Sequence, residues 1–262
     1  MAQQSNEERP TKDGLAGRDD GRFIQFARPD LDRGSRKGVP EVLLAQGKRH
    51  EDVLNIARRF VESTGRAIIS RVDPDLLARL RAEFADCDLL EHSPSRMVVV
   101  RRHGFQLPRT GGKIGVISAG TSDVPVAEEA RVLAEEMGCD TYPVYDVGVA
   151  GIHRLFEPLQ ALKDAGVDAL VVAAGMDGAL PSVVAGLVDV PVIGLPTSVG
   201  YGLGGKGVAA LMSMLQTCSP GLVVVNIDNG IGAGATAALI ANRMAMARQE
   251  SIESRAPTKE LG

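Results

Sequence analysis

Four times between residues 114 and 234 a short apolar stretch runs into a glycine-bearing turn and then into a helical pattern. The turns are Ser118-Ala119-Gly120-Thr121-Ser122-Asp123, then Ala174-Gly175-Met176-Asp177-Gly178, then 196–205, and finally Asn226-Ile227-Asp228-Asn229-Gly230-Ile231-Gly232-Ala233-Gly234. Regular alternation of such strands with helices points to a parallel sheet covered on both faces. The turns that follow the strands then share one rim, which is where open α/β sheets bind ligands. Glycine lets the backbone approach a ligand closely, and helix starts present unpaired N–H groups to anions. The same rim is expected to carry Asp123, Asp177 and Asp228, together with Cys218 just ahead of the last strand.

Strands are expected at 114–117, 141–145, 169–172, 192–195 and 222–227, with helices near 124–137, 152–165, 180–187, 205–216 and 233–248. Right-handed crossovers make residues 113–250 a doubly wound, flavodoxin-like parallel α/β sandwich. Residues 23–104 read as a smaller N-terminal α/β domain, with strands at 41–45, 67–72 and 97–101 and helices at 50–62 and 74–84. Asp73 and Pro74 open the second of these helices as N-cap and first helical residue. The stretch 102–112, rich in Gly, Pro and Thr, reads as a linker. Residues 1–22 have little to bury and are expected to be disordered, and 251–262 to be a flexible tail.

Composition removes several function classes. The net charge is −4, Trp is absent, and there are 6 Phe and 3 Tyr. A chain that grips a nucleic-acid backbone and stacks on bases needs cations and aromatics that are missing here. No apolar run approaches the roughly 20 residues that cross a bilayer. The polar start has no apolar signal core, so a cytoplasmic location is expected. Cys87, Cys139 and Cys218 are far apart, which suits neither a disulfide framework nor a Cys-x-x-Cys metal site.

Each candidate residue has a local reading beside a chemical one. Ser122 or Asp123 can simply cap the helix that Pro125 enters; with Gly120 and Thr121 they also form a pocket of N–H groups and hydroxyls suited to phosphate or carboxylate. Asp177, between Gly175 and Gly178, can be a cap, or a general base that orients water. Gly200-x-Gly202-x-x-Gly205 and Gly230-x-Gly232-x-x-Ala235 match the dinucleotide fingerprint weakly, and close helix packing explains them as well. His153 opens a helix on the rim and can serve a local hydrogen bond or contact substrate. His50, His92 and His103 show no ligand spacing. Cys139 reads as core filler, and Cys87, between Asp86 and Asp88, as a disfavoured thiolate. Cys218 is either packed or reactive, according to its access. Asp123, Asp177 and Asp228 could bind Mg²⁺, although no ligand spacing says so.

Five segments carry a resemblance. They are Asp32-Arg33-x-x-Arg36-x-Gly38-x-Pro40-Glu41 with Gly47-Lys48; Gly120-Thr121-Ser122-Asp123-x-Pro125-Val126-Ala127-Glu128-Glu129-Ala130; and Asp146-Val147-Gly148-Val149-Ala150-Gly151-x-His153-Arg154. The others are Ala174-Gly175-Met176-Asp177-Gly178-Ala179-Leu180-Pro181-Ser182-Val183-Val184, and Cys218-x-x-Gly221 followed by Val224-Val225-Asn226-Ile227-Asp228-Asn229-Gly230. The second domain resembles the PurE family of aminoimidazole ribonucleotide carboxylases and mutases. From about residue 26 the chain is similar to the LarB family, which begins synthesis of the nickel-pincer nucleotide cofactor of lactate racemase. PurE enzymes resemble Ala-Gly-x-Ala-Ala-His-Leu-Pro at the second turn, with a catalytic histidine where this chain has Ala179. LarB proteins usually have Glu where this chain has Asp177, one methylene shorter.

The resemblance implies carboxylation of nicotinic acid adenine dinucleotide at C5 of its pyridinium ring, with hydrolysis of its phosphoanhydride to release AMP. No organic cofactor is implied, with Mg²⁺ left open for the hydrolysis, and PurE suggests a homo-octamer. It also implies Cys218 as nucleophile, Asp177 as base or water-orienting group, and Ser122 and Asp123 as holders of carbon dioxide or the ring carboxylate. Gly120, Thr121, His153, Arg154, Gly175, Met176, Gly178, Thr197, Ser198, Asn226, Asp228, Asn229 and Gly230 would line the substrate. The alternatives are an aminoimidazole ribonucleotide carboxylase or mutase, an NAD(P)-dependent oxidoreductase, and a non-catalytic nucleotide-binding module.

Overall fold

The computed structural model describes residues 27–255. The expected disorder of 1–22 and the last residues of the expected tail, 256–262, lie outside them. Among the described residues two sheets form, one of four strands and one of five.

The second sheet follows the pattern read from sequence. Its strands are β5 (Lys113–Ser118), β6 (Asp140–Val144), β7 (Ala169–Ala174), β8 (Val192–Pro196) and β9 (Leu222–Val224). Every pairing is parallel, in the order β6-β5-β7-β8-β9. β7 and β8 are buried along their whole length. Helices α5 (His153–Ala165), α6 (Leu180–Ala185) and α7 (Val208–Leu215) cover one face, and α4 (Val124–Glu136) and α8 (Gly230–Arg255) the other. This is the doubly wound α/β sandwich. Helix α8 continues through 251–255, expected to be flexible, because nothing in that stretch breaks a helix.

The first sheet contains β1 (Val42–Leu44), β2 (Arg66–Ser70), β3 (Cys87–His92) and β4 (Met97–Arg102), in the order β1-β2-β4-β3. Only β1 and β2 are parallel. A short helix α1 (Arg33–Lys37) precedes it, and α2 (His50–Thr64) and α3 (Pro74–Glu83) lie on its outer face. Asp73 caps α3 as expected, accepting from the Leu76 N–H at 2.8 Å. Strand side chains alternate between faces. Ala67, Ile69, Val98 and Val100 accordingly pack under α2 and α3, whereas Ile68, Met97 and Val99 pack with Ala127, Ala130, Ala237 and Ala241 of α4 and α8. Helices α4 and α8 are thus a layer shared by both sheets.

Alanine makes that sharing feasible. Ala233, Ala237, Ala238, Ala241 and Ala245 of α8 are all buried, and the helix lies close against α4. The small-residue face of α8 is used inside the chain. The stretch 102–112 is docked rather than loose: Thr110 Oγ1 lies 2.6 Å from Asn242 Oδ1, and Arg248 Nη2 donates to the Gly111 carbonyl at 2.9 Å.

One ion cluster crosses the junction. Glu136 of α4 is 2 % exposed and accepts from Arg66 at 2.6 Å and from Arg101, both on the first sheet. Phe105 stacks under both guanidinium groups, at 5.4 and 5.9 Å. Removing one member of a buried pair leaves the other charge uncompensated, at about 3–5 kcal/mol. Glu136→Ala is therefore expected to lower unfolding free energy by about 3 kcal/mol in urea titration. A loss under about 1 kcal/mol would show that the cluster is solvated and does not hold the sheets together.

Candidate active site

The carboxyl ends of β5–β9 carry the predicted residues, and hydrogen bonds tie their turns together. Asp123 is 4 % exposed. Its Oδ2 accepts from the Gly120 N–H at 2.9 Å and its Oδ1 from the buried Thr197 hydroxyl at 2.6 Å. It therefore links the turn after β5 to the one after β8. This differs from the expectation that Asp123 faces a ligand: both oxygens serve the protein, because the short 3₁₀ turn Thr121–Asp123 points the carboxylate inward. Thr121 and Ser122 are exposed on that same turn and remain available.

The turn after β7 is pressed against the turn after β8. Met176 N–H donates to the Val199 carbonyl at 2.9 Å, and Thr197 N–H to the Ala174 carbonyl at 3.1 Å. A Cβ on Gly175 would lie 2.7 Å from Thr197 Oγ1, and one on Gly178, at φ +61°, would lie 2.6 Å from the Ala210 carbonyl. Both glycines are thus required by packing, and Gly178 by backbone conformation as well. Met176 itself adopts φ +53° and is exposed. Asp177 is exposed, and Oδ1 accepts weakly from the Ala179 N–H at 3.3 Å. It makes a loose local turn and keeps its carboxylate at the surface.

The last turn joins the same system. Asp228 N–H donates to the Pro196 carbonyl at 2.9 Å, and its Oδ1 accepts from the Ser198 N–H at 2.8 Å. Asn229 caps α8 through the Gly232 N–H at 2.8 Å, and Asn226 Oδ1 accepts from the Ile227 N–H. Gly230 is buried as the first residue of α8. The turn after β6 rests on the turn after β5, with Val147 N–H on the Ser118 carbonyl at 3.2 Å. There Arg154 pairs with Asp146 at 2.6 Å, and His153 is exposed at the start of α5. Gly120, Thr121, Ser122, Asp123, Gly175, Asp177, Thr197, Ser198 and Asp228 are thus brought onto one rim.

Cys218 is not on that rim. Helix α7 leaves the carboxyl end of β8 and returns to the amino end of β9, so Cys218, between them, sits at the opposite edge. At 3.3 Å per residue, the register from Val192 to Pro196 separates the two edges by roughly 13 Å. The thiol is exposed, unlike Cys139, which burial pushes up to about 11, and Cys87, raised by burial and by Asp86. Ser219 next to it donates to the Ser182 carbonyl at 2.9 Å.

Two residues that are not among the candidate site residues stand beside the rim. Glu129 on α4 is 6 % exposed, and burial raises its carboxyl to about 7; Asp228 raises it further, and Arg71 and Arg96 oppose the shift. Arg71, just after β2, reaches Asp228 from the first sheet. A cavity of about 150 Å³ lined by Glu41, Phe60, Arg66 and Phe105 lies at the other end of β2. Among the described residues no group of three or more His, Cys, Asp or Glu could hold a metal ion. Asp123, Asp177 and Asp228 do not converge on one point: Asp123 is spent on Thr197 and Gly120, and Asp228 on Ser198. No helix among the described residues is long and apolar enough to cross a membrane.

Residues 113–260 match the AIR carboxylase family model, and residues 22–102 match the LarB/PurE-like N-terminal domain. An uncharacterized protein of Methanocaldococcus jannaschii is 41% identical over 220 residues, covering 82% of this chain and 84% of its own. The chain belongs to the LarB family. Its second half is also related to enzymes named N5-carboxyaminoimidazole ribonucleotide mutase. That of Thermotoga maritima is 31% identical over 49% of this chain and 74% of its own length, and that of Pyrococcus abyssi 33% over 49% and 71%. The LarB-family chain therefore joins a PurE-like unit to a first sheet that packs on its α4–α8 layer.

Two predictions test the rim. Thr197→Val leaves the buried Asp123 carboxylate short of a donor and is expected to cost about 2 kcal/mol in urea unfolding; no measurable loss would mean that water replaces the hydroxyl. Burial raises the Glu129 carboxyl from an ordinary 4.5 to about 7. Its stabilising contribution is complete below about 4.5 and lost as pH rises through about 7. Glu129→Gln is expected to match the wild type near pH 4.5 and to exceed its melting temperature above pH 7. Equal melting curves at both pH values would show that Glu129 ionises normally beside Arg71, Arg96 and Asp228.

Proposed function

We propose that this chain carboxylates nicotinic acid adenine dinucleotide at C5 of its pyridinium ring and hydrolyses the phosphoanhydride, giving pyridinium-3,5-biscarboxylic acid mononucleotide and AMP. The observation that carries the reading is an exposed thiol, Cys218, in a chain of this family with Ala179 where the purine enzymes are expected to hold a histidine. An aminoimidazole is already enamine-like and needs no nucleophile to react with carbon dioxide. A pyridinium ring is an electrophile, as is carbon dioxide, and the two do not combine unaided.

A thiolate resolves this. The Cys218 sulfur adds to a ring carbon next to C5, and the ring π electrons pass to nitrogen, leaving an enamine. C5 then attacks carbon dioxide and keeps its hydrogen. A base removes that proton, and expulsion of the thiolate restores the aromatic cation. Asp177, with its carboxylate at the surface, is the base in this reading or orients the water that cleaves the phosphoanhydride. Ser122 and Thr121 offer hydroxyls to the ring carboxylate, while Asp123 holds their turn in place.

The opposite placement of sulfur and rim gives the reading a second part: two copies of the chain complete one site. Helix α7 supports this. It carries no charged residue, and Val208, Met212 and Leu215, spaced as one helical face, are exposed. That apolar face leads directly to Cys218, and β9 beside it exposes Val223. A second copy seated there would cover the apolar face and receive the sulfur. Eight copies is the number the PurE resemblance implies.

Incubation of the protein with the dinucleotide and labelled bicarbonate is expected to give labelled dicarboxylated mononucleotide and AMP by mass spectrometry. No incorporation, with an aminoimidazole ribonucleotide converted instead, would overturn the reading in favour of a purine enzyme. The shared site has its own check: Cys218→Ala and Asp177→Ala are each expected to be inactive, and co-assembled at equal amounts they should recover about a quarter of wild-type turnover. No recovery would mean that one copy holds both groups.

A further inference from the structure

Arg71 is the point at which the first sheet touches the rim. All three of its guanidinium nitrogens are engaged. Nη2 donates to the Asp228 carbonyl at 3.0 Å, Nη1 donates to Gln46 Oε1 at 2.9 Å, and Nε lies 3.6 Å from Glu129 Oε1. Gln46 follows β1 and Arg71 follows β2, so both come from the carboxyl end of the parallel pair in the first sheet. Asp228 passes the contact on through the Ser198 N–H, and neighbouring Thr197 passes it to Asp123 and Gly120. One chain of hydrogen bonds therefore runs from the first sheet across the rim.

The backbone at this junction is unusual. Arg71, Arg96 and Asp228 adopt φ +56°, +52° and +54°, a left-handed conformation that costs a side-chain-bearing residue roughly 1–2 kcal/mol. Val72 N–H donates to the Arg96 carbonyl at 2.9 Å, which places the two strained arginines side by side. The buried Glu129 carboxylate lies beneath them. Glycine would remove the strain at any of these positions, so the side chains are what the strain retains. Backbone strain of this kind persists where surrounding structure fixes it, and such sites are enriched in function.

We propose that Arg71 is a positioning residue: from the first sheet it fixes the turn containing Asp228, and thereby sets how tightly the rim holds a phosphate-bearing, anionic ligand. The identity of that ligand rests on the function proposed above; the positioning itself does not. Arg71 acts through Asp228 and Ser198 and need not touch substrate. The role suits arginine, since lysine has one head group for the three contacts that the planar fork makes.

The test uses the full chain with Arg71→Ala and Arg71→Lys, read in two ways. Hydrogen exchange without ligand is expected to quicken about tenfold in peptides covering 196–199 and 226–231 in Arg71→Ala, with α4 and β7 peptides unchanged. With nicotinic acid adenine dinucleotide, KM is expected to rise about tenfold while kcat stays within about twofold, and Arg71→Lys should fall between. Unchanged exchange, exchange that rises throughout the chain, or an unchanged KM would each overturn the proposal. Should the wild type not act on the dinucleotide, the proposed reaction fails and the exchange map alone decides the role of Arg71. If Arg71→Ala does not fold, Gln46→Ala frees one arm of the fork, and unchanged exchange at 226–231 in that variant overturns the proposal.

Discussion

A parallel strand has two different ends, and that constraint governs the whole molecule. Turns leaving β5 to β9 all reach one edge of the sheet, and connections entering those strands all lie at the other. Ser122, Asp177 and Asp228 are of the first kind, and Cys218 is of the second. No local rearrangement brings them together, because the strands between them are buried over their length. In the proposed reaction the thiolate and the glycine rim therefore come from different copies of the chain.

The rim is cohesive because it is short of freedom, not because it is rich in strong bonds. Asp123 spends both carboxylate oxygens on Gly120 and Thr197, and Asp228 closes the next gap through Ser198. Each bond contributes about 1 kcal/mol net, but leaving a buried carboxylate unpaired costs more, so the arrangement resists loosening. The first sheet extends the same logic. It buries one face under its own helices and the other on α4 and α8, and it places Arg71 against the last turn. Packing the sheet there and holding the site are one structural act.

Much of this is legible in local pattern. The five parallel strands, their helices and the glycine turns follow from apolar runs punctuated by glycine, and the rim residues follow from strand direction. The last strand ends at Val224, ahead of the expected 227, because Asn226 turns the chain locally: its Oδ1 accepts from the Ile227 N–H and its carbonyl from the Asn229 N–H. Strand β3, Cys87–His92, escapes a reading of the sequence, since an edge strand with charged residues among its apolar ones lacks an apolar run. The apolar runs at 67–69 and 98–100 do hold a clue to the shared layer, because a strand exposed on one face would alternate. Arg71 carries no such mark, and Glu129, although it lies in the segment after the first glycine turn, has nothing in the sequence to set it apart from its neighbour Glu128. The importance of Arg71 comes from a contact between residues 157 apart in the chain, and a charged residue beside a strand looks the same whether it meets water or another sheet. The edge occupied by Cys218 is legible in principle, since it precedes its strand, but the sequence motif draws attention to the residue and not to the end of the sheet on which it falls.

In the proposed reaction the sulfur of Cys218 makes a pyridinium ring nucleophilic. The most direct measurement traps the protein with nicotinic acid adenine dinucleotide, without bicarbonate, and maps the added mass by peptide mass spectrometry. A pyridine-bearing adduct is expected on the peptide containing Cys218 and none on those containing Cys87 or Cys139. Full carboxylation by a Cys218→Ala protein, with no adduct on the wild type, would contradict it.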